Sequence, residues 1–198
     1  MKFWERIAVH TQQEIFYYDT RRGFDARHLA ARLYEMILEE LERGKKGVVF
    51  LCIGTDRSTG DSLGPLIGYK LKGKEEADIP VFGTLERPVH AMNLDDYMRF
   101  LKEGYPDHVV VAIDASVGKA DHIGYVTLGK GALKPGLGVS KELREVGDIF
   151  ITGIVGGCGN YDPLMLQSVR LSVVMRLADC ISDSIRLVEK LWSNAAMI

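Results

Sequence analysis

The apolar positions of the chain first repeat at helical spacing. After Asp25 the large apolar residues recur so that they share one helical face, and the repeat stops at Gly44. These residues are Leu29, Leu33, Met36, Ile37 and Leu41. Glycine is common just after a helix end because it adopts the left-handed backbone conformation without strain. The pattern predicts an amphipathic helix from Asp25 to about Gly44.

Farther along the chain, the apolar residues gather into short β-branched runs. Such runs occupy residues 48–53, 79–85, 108–113 and 149–155. The runs at 48–53 and 108–113 are apolar throughout, which is typical of strands covered on both faces. Helices are predicted between the runs, at Ser62 to Leu71 and at Asn93 to Leu101. Strands that alternate with helices predict a three-layer α/β fold with a mostly parallel central sheet.

The two ends of the chain complete this organisation. Gly124 to Gly129 is predicted as a further short strand, and a last helix is predicted to open at Asp162 and run to about Trp192. Residues 1–23 have no clear pattern and are interpreted as an N-terminal arm. The absence of repeats, low-complexity tracts and linkers favours a single α/β domain over residues 24–198.

The composition of the chain indicates which partners the protein can bind and in which cellular compartment it is expected. The 198 residues are 46% hydrophobic, and 25 basic against 27 acidic residues leave a net charge of −2. We therefore expect no nucleic-acid partner, because phosphate backbones require a basic surface. No apolar run approaches the roughly 20 residues that span a bilayer, so no membrane partner is expected. The three cysteines, at unrelated spacings, favour a reducing cytoplasm, and the sequence leaves a homo-oligomer open.

The loop after the first strand run is the first candidate site. In open parallel sheets, ligands bind outside the carboxyl ends of the strands, where the segment Gly54 to Asp61 is expected. A phosphate loop has four residues between its glycines and then a lysine, whereas this loop has five and then Asp61. Nucleotide binding is therefore not expected. Asp61 is either the N-cap of the following helix or a catalytic carboxylate, and the two roles are compatible.

Asp114 is the second candidate, because it directly follows the apolar run that ends at Ile113. It is either the first residue of an Asx-turn or a second carboxylate at the site. If Asp61 and Asp114 lie close together, their repulsion raises one pKa and leaves one group protonated and one ionised. A pair in these two states is suited to activating water and donating a proton.

Other chemical groups give weaker signals. Asp56, Arg57 and Glu86 are candidate substrate-binding residues near the same strand ends, and a solvated surface position is the alternative for each. Cys158, in the turn from Gly156 to Asp162, is interpreted as a small loop residue rather than a nucleophile. The histidines lack any metal-ligand spacing, so no metal and no cofactor is predicted.

The two aspartate segments together resemble a known family. The stretch Gly54 to Pro65 resembles the first active-site loop of the spore germination proteases, which reads G-L-G-N-…-T-P-D-A-L-G-P, and Asp61 matches its catalytic aspartate. Ala112 to Ala115, followed by Lys134 to Val139, resembles their I-D-A-L and P-G-S-G-V-G, and Asp114 matches the second catalytic aspartate. The whole chain is similar to YyaC-type sporulation proteins, which are grouped with the germination and hydrogenase maturation proteases.

This resemblance implies a phosphorylase/hydrolase-like fold and an atypical aspartic endopeptidase in the cytoplasm of a sporulating cell or spore. Its substrate would be a protein, cleaved by water that Asp61 and Asp114 activate. Pro135-Gly136 stands where the hydrogenase maturation proteases place a nickel-binding histidine, which leaves His90 and His122 as substitutes. Two alternatives remain open at this point: a non-catalytic binding or regulatory protein of sporulation, and a metal-dependent hydrolase.

Overall fold

The computed structural model of the protein describes residues 14–73, 79–135, 144–157 and 163–195. Its strands are β1 (Ile15–Asp19), β2 (Gly47–Cys52), β3 (Val81–Phe82), β4 (His108–Gly118), β5 (Tyr125–Lys130) and β6 (Ile149–Gly157). Its α-helices are α1 (Ala26–Glu42), α2 (Leu63–Leu71), α3 (Leu94–Gly104) and α4 (Leu171–Ala195). Short 3-10 segments lie at Gly60–Ser62, Ala120–His122 and Pro163–Ser168.

The strands form one sheet in the order β1-β5-β6-β4-β2-β3. The pairs β3–β2, β2–β4 and β4–β6 are parallel, whereas β5 runs antiparallel to both of its neighbours. The chain is therefore an α/β protein with a mostly parallel sheet, as the alternation of strand and helix patterns predicts. Parallel neighbours require crossover connections, and α2 and α3 are parts of two of them.

Helices cover both faces of the sheet. The main apolar core joins one face to α1, α2 and α4, and a smaller core joins the other face to α3. Successive residues of β4 point to alternate cores: Val111 and Ile113 belong to the main core, and Ala112 belongs to the α3 core. No helix in the described parts of the chain is long and apolar enough to cross a membrane.

The first predicted helix is confirmed, and its ends follow ordinary capping chemistry. The side chain of Asp25 accepts a hydrogen bond from the backbone N–H of Arg27 at 2.9 Å, which caps the N-terminus of α1. Gly44, just after the C-terminus, has a φ of 104°. The short strand predicted at Gly124 to Gly129 is also confirmed, as β5.

Three strands differ from the sequence expectation. β4 does not stop at Ile113 but continues to Gly118, because β6 pairs with it beyond the end of β2. The strand predicted at 79–85 shrinks to Val81–Phe82, because Gly83 has a φ of 87° and turns the chain over the end of β2. Within the expected N-terminal arm, Ile15–Asp19 forms edge strand β1 against β5.

The last helix begins later than predicted. α4 starts at Leu171, and the residues before it form the 3-10 segment Pro163–Ser168. The predicted cap Asp162 lies outside the described residues, as do Cys158 and the stretch 136–139 that entered the family resemblance.

Candidate functional site

The site forms at the carboxyl edge of the sheet, where β2 ends and β4 continues. The N–H of Ile53 donates to the carbonyl of Ile113 at 2.7 Å, and this is where β2 leaves the ladder. The next residue of β4 is Asp114, which pairs with Thr152 of β6 on its other side. Asp114 therefore lies inside a continuous strand that overhangs the end of β2, and its interpretation as an Asx-turn residue is wrong.

Asp114 is buried, with only 4% of its surface exposed. Its Oδ1 accepts a hydrogen bond from the N–H of Ala115 at 2.7 Å. Strand alternation places its side chain on the α3 side of the sheet, with Ala112 and Ser116. A buried carboxylate on a strand that overhangs the end of its neighbour is costly unless it is stabilised, which favours a functional position.

Hydroxyl groups line the neighbouring strands beside Asp114. The Oγ of Ser116 and the Oγ1 of Thr152 lie 2.9 Å apart, and Thr152 Oγ1 lies 2.7 Å from Thr127 Oγ1. These three side chains form one hydrogen-bonded chain across β4, β6 and β5. The register of β4 and β6 shifts just after Ser116, and such bulges are frequent beside active sites.

Asp61 lies in the 3-10 turn Gly60–Ser62, which packs against β4. The N-cap residue of α2 is Ser62, and no side chain caps that helix, so the N-cap interpretation of Asp61 is wrong. Burial raises the pKa of the Asp61 carboxyl above its ordinary value, while the nearby backbone N–H of Thr55, which donates to the Asp61 carbonyl at 3.1 Å, and the charge of His90 oppose the rise. The largest cause is thus burial, rather than the repulsion between aspartates that the sequence suggested.

Glycines allow the close packing that places Asp61. A Cβ on Gly54 would lie 3.3 Å from the carbonyl carbon of Asp61 and would overlap its oxygen. A Cβ on Gly64 would lie 2.7 Å from the backbone nitrogen of Ile53 and would overlap its carbonyl oxygen. The start of α2 therefore rests directly on the end of β2, and this contact fixes the turn that carries Asp61.

His90 joins the site through the segment that follows β3. Val89 bridges Ile53 in parallel, and its carbonyl accepts from the N–H of Gly54 at 2.7 Å. The backbone N–H of His90 donates to Asn93 Oδ1 at 2.8 Å, and its Nδ1 accepts from the N–H of Met92 at 3.2 Å. In the neutral ring, this last bond places the proton on Nε2. His90, an untested substitute in the sequence analysis, thus lies within electrostatic reach of Asp61.

The second histidine substitute lies elsewhere. His122 lies between Tyr17 and Tyr125 in tilted ring contacts, with ring centroids 5.7 Å and 5.0 Å away, at the β1–β5 side of the sheet. Within the described ranges, no group of three or more His, Cys, Asp and Glu side chains could hold a metal ion. Cys52 is fully buried, and burial raises the pKa of its thiol to about 12, which makes it a poor nucleophile.

The three predicted substrate-binding residues are more exposed than the aspartates. Asp56 and Arg57 are both exposed in the loop before Asp61. The Glu86 carboxylate accepts from Thr84 Oγ1 at 3.0 Å and lies 3.9 Å from Lys72 Nζ. Its own backbone N–H and the Thr84 hydroxyl lower its pKa. Glu86 is therefore engaged with its own turn, on the β3 side of the site.

Replacing Asp61 by asparagine is expected to stabilise the fold at neutral pH. Because folding raises the pKa of Asp61, ionisation costs folding free energy, and stability falls as pH rises through the interval between the unfolded and folded pKa values. Asp61→Asn keeps an acceptor for Thr55 and removes the charge, so we expect its Tm to rise by about 2 °C at pH 7. The gain should vanish in acid, where the native carboxyl is also neutral. Asp56→Asn, in the same loop, is the matched control and should leave Tm unchanged at both pH values.

The comparisons with known proteins place the chain in a family. A family model described as "Protein of unknown function (DUF1256)" matches residues 23–184. The chain belongs to the DUF1256 family. This match covers Asp61, His90 and Asp114, and it extends from just before α1 into α4. A relative, "Uncharacterized protein YyaC" of Bacillus subtilis (strain 168), is 42% identical over 163 residues, which is 81% of this chain and 80% of that protein.

Proposed function

We propose that this protein is an endopeptidase of the germination-protease type, which hydrolyses a protein substrate with Asp61 and Asp114. One observation supports it most: a buried aspartate on the overhang of β4 and an aspartate of raised pKa, on a turn packed against that strand, share one sheet edge. A phosphorylase/hydrolase-like fold and a role in sporulating cells are parts of the same proposal. They rest on the loop resemblance.

The two carboxyl groups have distinct roles in this proposal. Asp114, on the rigid strand, acts as the general base and takes a proton from the attacking water. Asp61, whose pKa burial raises, acts as the general acid and delivers its proton to the leaving amide nitrogen. The peptide C–N bond breaks, the water oxygen forms the new carboxyl, and both protons are accounted for. The hydroxyl chain of Ser116, Thr152 and Thr127 is positioned to orient polar groups near Asp114.

The test is cleavage of a peptide library by the purified full chain, read by mass spectrometry. We expect new peptide termini that accumulate equally with and without a chelator, because in the proposed mechanism the two carboxyl groups act directly on the water and the amide, without a metal ion. The Asp61→Asn protein, which keeps the turn's hydrogen bond, should yield none of them. Loss of cleavage with chelator would instead support the metal-dependent hydrolase. Absence of cleavage throughout would overturn the peptidase and support a binding protein.

His90 is expected to set the pH range of the reaction. A positive charge on His90 lowers the pKa of Asp61, so its removal raises that pKa further. In His90→Gln, Asp61 should stay protonated to higher pH. The basic limb of the kcat/KM profile should therefore shift to higher pH, while the maximal rate changes less than about tenfold. His28→Gln, on the outer part of α1, is the control and should leave the profile in place. A fixed basic limb in His90→Gln would exclude this role.

A further inference from the structure

A groove lies between β3 and α3, on the side of the sheet that carries the smaller core. Its volume is about 600 Å³, and its walls are formed by Phe82, Gly83, Thr84, Arg87, Tyr97 and Phe100. Neither Asp61 nor Asp114 lines the groove, but the segment from Gly83 to His90 connects the groove to the candidate site.

The floor of the groove is aromatic. The ring of Phe82 lies 5.5 Å from that of Phe100 in an edge-on arrangement and 6.4 Å from that of Tyr97. Phe100 is 49% exposed, which is unusual for a phenylalanine that packs against other rings. Exposed aromatic side chains around a depression are typical of surfaces that receive an apolar side chain.

The edge of β3 offers backbone hydrogen bonds. β3 is the last strand of the sheet, and the carbonyl of Pro80 accepts from the N–H of Phe50 at 2.9 Å. Because alternate residues of a parallel strand bond to the same neighbour, Pro80 and Phe82 face β2, whereas the N–H and C=O of Val81 face outward. An extended peptide can add to such an edge as one more strand.

The charge at the rim is positive. Arg87 is exposed and makes no ion pair with any of the described residues, and Lys72 lies on the same rim at 3.9 Å from Glu86. Asp96, the acidic residue of the lining, is already engaged in an ion pair with Arg99. The rim therefore complements an acidic side chain next to an apolar one.

The groove leads toward the candidate site. β3 runs parallel to β2, so a chain laid along β3 approaches the carboxyl edge where Asp61 and Asp114 lie. The turn Thr84–Arg87 is closed by a hydrogen bond from Thr84 N–H to the Arg87 carbonyl at 3.1 Å, and Val89 and His90 follow after one proline. The segment from Gly83 to His90 thus forms one wall of the groove and continues to His90 in the candidate site.

We propose that this groove binds an extended segment of the polypeptide substrate by strand addition to β3. A large apolar or aromatic side chain of that segment rests on Phe82 and Phe100, and an acidic residue beside it pairs with Arg87. The proposal rests on the proposed peptidase function for its role in cleavage, but the binding itself is independent of catalysis.

The test measures binding of fluorescein-labelled extended peptides to the full chain by fluorescence anisotropy, in the Asp61→Asn protein so that cleavage cannot intervene. The reference peptide carries a central phenylalanine followed by a glutamate in a serine- and threonine-rich sequence. Variants replace the phenylalanine by alanine or the glutamate by lysine, or N-methylate the amides that would pair with Val81. Each change is expected to weaken binding by roughly tenfold, which corresponds to about 1.4 kcal/mol.

Matched protein variants separate the groove from general surface effects. Phe100→Ala should weaken the reference peptide about tenfold, and Tyr69→Ala, which removes an equally exposed ring from α2, should not. Arg87→Glu should reverse the preference toward the lysine peptide, whereas Arg176→Glu on α4 should not. Equal affinity in Phe100→Ala and Tyr69→Ala, or no binding of the reference peptide, overturns the proposal. Binding that follows these rules in a protein without peptidase activity would overturn the proposed function alone.

Discussion

Asp114→Asn is expected to lower kcat/KM for peptide cleavage by roughly a thousandfold, the range typical of a lost general base. Asparagine has nearly the same shape, and its Oδ1 still accepts from the N–H of Ala115, so the strand should keep its geometry. The measurement is initial cleavage rate against peptide concentration, with Tm and the circular dichroism spectrum recorded on the same samples. A variant that folds normally yet stays within about tenfold of the native rate would remove Asp114 from the mechanism.

The double variant Asp61→Asn/Asp114→Asn sharpens this result. Residues that act on one transition state are strongly non-additive, because either loss already disables the shared step. We expect the double variant to be scarcely slower than Asp114→Asn alone. A rate reduced by the product of the two single effects would mean that the aspartates act in separate steps.

Gly64→Ala is expected to cost about 3 kcal/mol of folding free energy and to lower Tm by about 10 °C. The added Cβ would overlap the carbonyl of Ile53 and lie 2.7 Å from its nitrogen, and backbone atoms at the end of a buried strand cannot move aside cheaply. The helix must lift from β2, which also displaces the turn carrying Asp61. Chemical and thermal denaturation measure the loss.

Gly104→Ala is the matched control for this helix substitution. Gly104 is the last residue of α3, and a Cβ there would meet nothing within 4 Å. We expect its stability to be unchanged or raised by roughly 0.5 kcal/mol, because alanine has the higher helix propensity. If Gly64→Ala is as stable as Gly104→Ala, the close contact between α2 and β2 is not what holds the turn.

The local patterns predicted the main helices and the parallel strands, because each depends on its own sequence. Apolar spacing located α1, and continuous β-branched runs located β2 and the first half of β4. The second half of β4 was missed because its partner is β6, which lies more than thirty residues away along the chain. β1 was missed because only Phe16 and Tyr18 of its short sequence pack against the core.

The candidate site was predicted in position but not in local detail. Strand-end reasoning placed Asp61 and Asp114 at one edge, which the structure agrees with. The N-cap interpretation of Asp61 was wrong because the next residue, Ser62, is the N-cap, and the Asx-turn interpretation of Asp114 was wrong because Asp114 stays within the ladder. The place of His90 depends on a hydrogen bond that its N–H donates to Asn93, on one that its ring accepts from Met92, and on the Val89 bridge; no short motif encodes that combination.

The two proposed catalytic aspartates differ in how rigidly the fold holds them: Asp114 lies on the overhang of β4, and Asp61 lies in a connecting turn. Asp114 is held by ladder bonds to β6, so its position is a property of the sheet and survives changes in the surrounding loops. Asp61, His90 and the Gly83–Arg87 wall of the groove lie on connecting segments, where insertions and substitutions are tolerated. Members of the family can therefore keep one fixed carboxylate and acquire new recognition by remodelling the connections around it.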